Sequence, residues 1–374
     1  MVKPPTFEVV AGTYEEFLLG YTFSSKENSL TQSFAAHDHA ASVRCVAISG
    51  QYLASGGADD RIFIYDLKTR KQHFTLTNHN STVNCLEFTD NHSHLISGSA
   101  DGVLAIVRVG NWQLEKVWEK AHKGAAILDV AVHSSGKLAL TLGADCSLCT
   151  WNLVKGRQAY VINLRSKCKD ARSLEKILWA PDGVRFVLYG GKYTEVWSVE
   201  SGGFLTQIGH KEKVTACLWM DDEMLLVGHE NGEISVLNIE EGKVISSFQA
   251  HDSRVKSVGL FKKRIVSVSS NGEIKVWNRN HEELAVVDSG CRLTCVCIVP
   301  PIEVKTEENP EESVVEIELE PVETKKIKKA QVVEIVEDED EDEDTPVKKK
   351  KTKKVNEGQV PKKKKKKRLN PTRE

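Results

Sequence analysis

Three groupings in this 374-residue sequence hold residue types that could do chemistry. The first unites a histidine, a hydroxyl and a carboxylate or amide. It appears as His39 with Ser55 and Asp59, His79 with Ser97 and Asp101, His122 with Thr141 and Asp145, and His251 with Ser267 and Asn271; His210 with Asn231 is a partial copy. Ser, His and Asp are the parts of a nucleophilic triad. Here, however, the set recurs with a nearly constant internal spacing and tolerates Asn for Asp, whereas a nucleophile needs one copy. Repetition points to structure. A turn carboxylate that accepts an imidazole N–H away from water ties a loop to a turn, and such a charge-assisted bond contributes roughly 1.5–3 kcal/mol.

The second grouping is C-x-x-C, at Cys146 and Cys149. Read as one strand, residues three apart face opposite ways and cannot share a zinc ion. Cys295 and Cys297 share a face but stand roughly 6.6–7 Å apart in an extended chain, too far for an easy disulfide. Nine cysteines behind an N-terminus without an apolar leader segment read as reduced thiols of a cytosolic or nuclear protein. The third grouping, Gly190-Gly191-Lys192, looks like the end of a phosphate loop, but Phe186 occupies the position of the first glycine. No catalytic residue, metal, cofactor or small-molecule substrate is therefore expected. No apolar run approaches the 18 residues of a membrane span either.

The elements that hold these groups repeat. SGGADDRIFIYD (55–66), SGSADGVLAIVR (97–108), TLGADCSLCTWN (141–152) and SVSSNGEIKVWN (267–278) each read as a strand, a tight polar turn and an alternating strand. Their closing positions extend to Tyr21, Tyr65, Val107, Trp151, Trp197, Leu237 and Trp277, at intervals of 44, 42, 44, 46, 40 and 40 residues. That is the WD40 period, four short strands per blade. The expected fold is all-β, a seven-bladed WD40 β-propeller over residues 1–301. Blade four breaks the pattern, with Asp170 in place of the histidine and Gly191 in place of the turn carboxylate, so it should be the least tightly stapled. After Trp277 come an outer strand near 284–287 and an inner strand at 293–299. Two strands at 7–12 and 17–23 are expected to complete that last blade, closing the ring and removing exposed edges.

From Ile302 onward the composition changes. The segment holds 19 of the 51 Lys+Arg and 20 of the 53 Asp+Glu, arranged in blocks with almost no aromatics. Such blocks cannot bury enough surface to fold, which predicts a disordered charged tail over 302–374. Two lysine clusters follow the run EDEDEDED: Lys348, Lys349, Lys350, Lys351, Lys353 and Lys354, then Lys362, Lys363, Lys364, Lys365, Lys366, Lys367 and Arg368. Two basic clusters across a polar spacer read as a nuclear-import signal for an import receptor, and their density suits an RNA-rich compartment.

The opening VVAGTYEEFLLGYTF, the run AHKGAAILDVAVHSSGKLALTLGADCSLCTWNLVKGRQAY (121–160), AHDSRVKSV (250–258) and the lysine-rich tail together resemble the WD-repeat p21-activated kinase-interacting protein family. The resemblance spans residues 7–299. It implies a nucleolar scaffold for assembly of the large ribosomal subunit, with pre-ribosomal proteins and pre-rRNA as partners. It also implies binding to the regulatory N-terminus of p21-activated kinase, blocking its activation by GTPases. The alternative is a purely cytoplasmic signalling inhibitor. In a WD propeller the residues three and five after the blade histidine sit at the top rim of the channel, which here gathers Lys213, Arg254, Lys256 and Arg292 on adjacent blades. That crescent is either a partner-binding rim for phosphate or acidic protein, or ordinary solvated charge partly neutralised by Glu212 and Glu230.

Overall fold

The computed structural model describes residues 6–201 and 203–301. The tail and both lysine clusters lie outside the described residues. Seven antiparallel four-stranded sheets form the seven blades. Their innermost strands are Val43–Ser49, Val83–Phe88, Ile127–Val132, Lys176–Trp179, Val214–Trp219, Val255–Phe261 and Leu293–Val299, in blades 1 to 7.

Burial explains the strand patterns. The second strand of a blade is covered on both faces by its neighbours, so segments such as Leu138–Gly143 and Arg264–Ser269 are buried almost throughout. The outermost strands, such as Lys71–Leu76 and Arg157–Asn163, are mostly exposed. The cores lie between blades: Ile62, Ile64 and Leu76 of blade 1 pack on Val83, Leu86 and Leu95 of blade 2. This contact is close enough to demand glycine. A Cβ at Gly56 would stand 2.7 Å from a methyl of Val83 in the next blade.

The closing blade departs from the sequence expectation in one respect. It takes three strands from the N-terminal side, Thr6–Thr13, Leu18–Ser24 and Ser29–Ala36, rather than two. The third was illegible because it is the outer strand: its polar sequence SLTQSFAA is half exposed and carries no clean alternation. Strand Thr6–Thr13 runs antiparallel to Leu293–Val299, with Glu8 opposite Val299 and Gly12 opposite Cys295. The core is continuous through the join. Phe7, Val9 and Phe23 pack against Val266, Val268 and Ile274 of blade 6, while Val10 and Leu18 pack against Leu53 and Phe63 of blade 1.

Candidate functional site

The histidine sets form connected polar chains inside the blades. In blade 3, His122 Nε2 lies 2.7 Å from Thr141 Oγ1, and Trp151 Nε1–H donates to the same oxygen at 2.8 Å. His122 Nδ1 faces Asp145 at 3.2 Å and Ser147 Oγ at 2.9 Å. In blade 1, His39 Nε2 meets Ser55 at 2.8 Å and its Nδ1 meets Asp59 at 3.0 Å. His79 reaches Ser97 at 2.8 Å, but Asp101 stands 3.6 Å from its Nδ1 and instead accepts the backbone N–H of Asn80 at 2.8 Å. Burial holds His79 and His122 below the ordinary imidazole pKa, opposed by their aspartates. The hydroxyls of this set, on Ser55, Ser97, Thr141 and Ser267, are at most 1% exposed.

Two expected pairs are corrected. His251 bonds Ser267 at 2.7 Å, yet its Nδ1 goes to Glu273 at 2.9 Å and not to Asn271, whose side chain turns to Ser269. A carboxylate two residues past the turn outcompetes a neutral amide for the imidazole N–H. The same position in blade 3 is Ser147, which also reaches its histidine. His210 does not meet Asn231 either; it bonds Thr194 of blade 4 at 3.0 Å, because Val227 stands where its own blade would need a hydroxyl. Asn231 binds the backbone N–H of Glu233 instead.

Blade 4 replaces its missing staple with apolar packing. The loop before its inner strand makes a 3-10 turn at Leu164–Ser166, capped by Asn163, and buries Leu164, Cys168, Ala171 and Leu174 against Trp197. The polar set is incomplete: Val187 stands at the hydroxyl position, and the buried Trp197 indole N–H has no partner among the described residues. Gly190 and Gly191 both have positive φ and form the turn between two strands. Cys146 also differs from the expectation. It sits in a turn with φ +60 and not on the strand, which begins at Ser147. Among the described residues no group of three His, Cys, Asp or Glu is placed to hold a metal ion.

The mouth of the central channel is a recess of about 320 Å³ lined by Arg44, Asn84, Leu128, Glu175, Lys176, Lys213, Thr215, Arg254, Lys256 and Thr294. Most of these are the second residue of an inner strand. Three of them latch their blade to the next: Thr294 donates to Val43 O at 2.7 Å, Asn84 to Ile127 O at 2.7 Å and Thr215 to Val255 O at 2.6 Å. Blades 3 and 4 are joined by Asp129, which accepts Lys176 Nζ and the backbone N–H of Ile177, both at 3.0 Å. Against the burial that would lower it, this carboxylate raises the Lys176 pKa above its ordinary value.

The cationic crescent comes out differently from its sequence outline. Lys213 pairs with Glu175 at 2.6 Å, an acid the spacing did not single out, and Arg254 pairs with Glu230. Arg292 lies over the Tyr14 ring at 5.4 Å. Lys256 and Arg44 share the mouth and have no hydrogen-bond or ion-pair partner among the described residues.

Residues 28–66, 70–106 and 112–152 match the family described as WD domain, G-beta repeat, and residues 185–263 match the Anaphase-promoting complex subunit 4 WD40 domain. The chain is 32% identical over 348 residues to the p21-activated protein kinase-interacting protein 1-like of Danio rerio, covering 88% of this chain and 92% of that protein. The p21-activated protein kinase-interacting protein 1 of Homo sapiens is 30% identical, over 77% of this chain and 76% of its own length. Shk1 kinase-binding protein 15 of Schizosaccharomyces pombe is 28% identical, over 77% and 82%.

Proposed function

The chain belongs to the family of p21-activated kinase-interacting WD-repeat proteins, and from that premise we propose that it is a non-catalytic scaffold with two engagements. One is assembly of the large ribosomal subunit in the nucleolus. The other is restraint of p21-activated kinase through its regulatory N-terminus, blocking activation by GTPases. The observation that carries the kinase engagement is the extent of the similarity. It covers most of the propeller in vertebrate and fission-yeast relatives alike, and each of those is named for binding a kinase.

The non-catalytic reading is supported by the staples. Their hydroxyls are sealed from solvent, so the Ser-His-Asp likeness has no path to a substrate. The ribosomal engagement is supported by the sequence of Lys348–Lys354 and Lys362–Arg368, whose charge suits import and retention beside RNA.

Tagged full-length chain should concentrate in nucleoli and co-sediment with large-subunit precursors. It should also be captured by the kinase's isolated regulatory region. Neutralising both lysine clusters should leave the kinase interaction intact and move the protein to the cytoplasm. A wild-type chain that stays cytoplasmic and off precursor particles, while still binding the kinase region, would leave the signalling inhibitor as the sole role. Failure to bind the kinase region would overturn that engagement.

A further inference from the structure

Arg44 of blade 1 and Lys256 of blade 6 flank Thr294 of blade 7, all three lining the channel mouth. Thr294 is committed to the Val43 carbonyl, so the two cations stand beside a saturated floor. Neither has an anionic partner of its own. Glu175, which acts favourably on Lys256, is held by Lys213. Burial disfavours the Lys256 ammonium, and Arg254, Arg292 and Arg44 all add to that penalty, so its pKa falls below the ordinary lysine value. Like charges gathered in a concave mouth with low-dielectric walls focus a positive field that an incoming anion relieves.

We infer that the channel mouth is a seat for an acidic side chain of a partner protein, inserted between Arg44 and Lys256. The surroundings select this class of ligand. The recess and the face around it carry carboxylates: Glu175 in the lining, held by Lys213, then Glu230 beside Arg254, Glu15 accepting the Arg292 backbone N–H, and exposed Glu212 and Asp252 on the loops between. A nucleic-acid backbone laid across the face would meet that acidic margin with a phosphate every few ångströms. A recess of about 320 Å³ admits a Glu or Asp on a projecting loop or chain end, but no duplex. The seat stands independently of which partner proteins the scaffold engages.

The test reads Lys256 itself in the full-length protein. Acetylation by an N-hydroxysuccinimide ester is followed peptide by peptide with mass spectrometry, with hexaglutamate or hexauridylate added. Lys348 and Lys362 in the same molecules report association with the tail lysines. Hexaglutamate should slow Lys256 acetylation several-fold. Arg44→Gln should abolish that protection, Arg44→Lys should keep it, and hexauridylate should leave Lys256 unprotected. Arg44 is exposed and makes no bond, so both variants should melt like the wild type. Lys256 acetylation unchanged by hexaglutamate would overturn the seat. Equal protection by hexauridylate would overturn its assignment to protein carboxylates and give it to phosphate.

Discussion

Thr141 joins His122 to Trp151 through a single hydroxyl, 2.7 Å from the imidazole Nε2 and 2.8 Å from the indole Nε1. With Asp145 facing Nδ1 and burial favouring the neutral ring, the protons are assigned by the network. The indole N–H donates to the hydroxyl oxygen, the hydroxyl donates to Nε2, and Nδ1–H donates to the carboxylate. Thr141→Val keeps the shape and leaves both the indole and Nε2 without a partner. At roughly 1–3 kcal/mol for each stranded group, the variant should lose about 2–4 kcal/mol. Urea unfolding followed by tryptophan fluorescence measures it, and a loss below about 0.5 kcal/mol would contradict the chain of bonds.

The buried histidines set a pH dependence. His79, His122 and His251 are held below the ordinary imidazole value by burial, and His210 falls to about 4 through burial and the nearby His229. A histidine with a depressed folded pKa binds fewer protons than it does unfolded. Its contribution is thus complete above about 6.5 and is lost as pH falls toward the folded value. The melting temperature should drop between pH 6.5 and 4. Acidic groups add to the same slope, so the difference between wild type and His210→Gln isolates the share of one imidazole. That difference should be flat above pH 7 and narrow on acidification; differential scanning fluorimetry across the range decides it.

Gly232 turns its chain at φ +88, where a Cβ would lie 1.9 Å from the His251 carbonyl oxygen. Gly232→Ala therefore combines left-handed backbone with a backbone clash and should cost about 2–4 kcal/mol. Gly242 has φ +63 but open space around it. Gly242→Ala should cost only about 1 kcal/mol, the conformational part alone. Thermal melts of the two variants compare the effects directly, and equal losses would rule out the clash.

Removing residues 1–36 deletes three strands of blade 7 and leaves Leu293–Val299 with an unpaired edge beside uncovered Val266 and Val268. The truncated protein should elute as aggregates on size exclusion and be cleaved by low trypsin within blade 6. A monomer with an unchanged melting temperature would show that the ring tolerates an open side.

The period was legible because residues near the end of each third strand, among them Tyr65, Trp151 and Trp277, are large and buried and recur every 40 to 46 residues. What escaped the sequence was competition. Asn271 and Glu273 stand two residues apart in the sequence, and only the packed turn decides that the carboxylate takes His251. A glutamate two residues past an amide-bearing turn is the signal that could have found it. Thr194 likewise serves a histidine sixteen residues onward in the next blade, a contact no intrablade spacing contains. The channel mouth was half visible. The spacing gathered Lys213, Arg254 and Lys256, but Glu175 neutralises Lys213 from another blade, and Arg44 becomes a neighbour of Lys256 only when the ring closes.

The pairing of Glu8 with Val299 also sets a timetable. The two residues are 291 positions apart by subtraction, and a chain made at about 5–20 residues per second puts roughly 15–60 s between them. The three strands over residues 6–36 thus belong to a blade that is finished only when Leu293–Val299 has been made. Throughout that wait the inward edge of Thr6–Thr13 has no strand to pair with, while Val10 and Leu18 can already rest on blade 1. A holding chaperone that shields an extended edge therefore has its natural window on the nascent chain before Leu293 emerges, and none once the ring has closed.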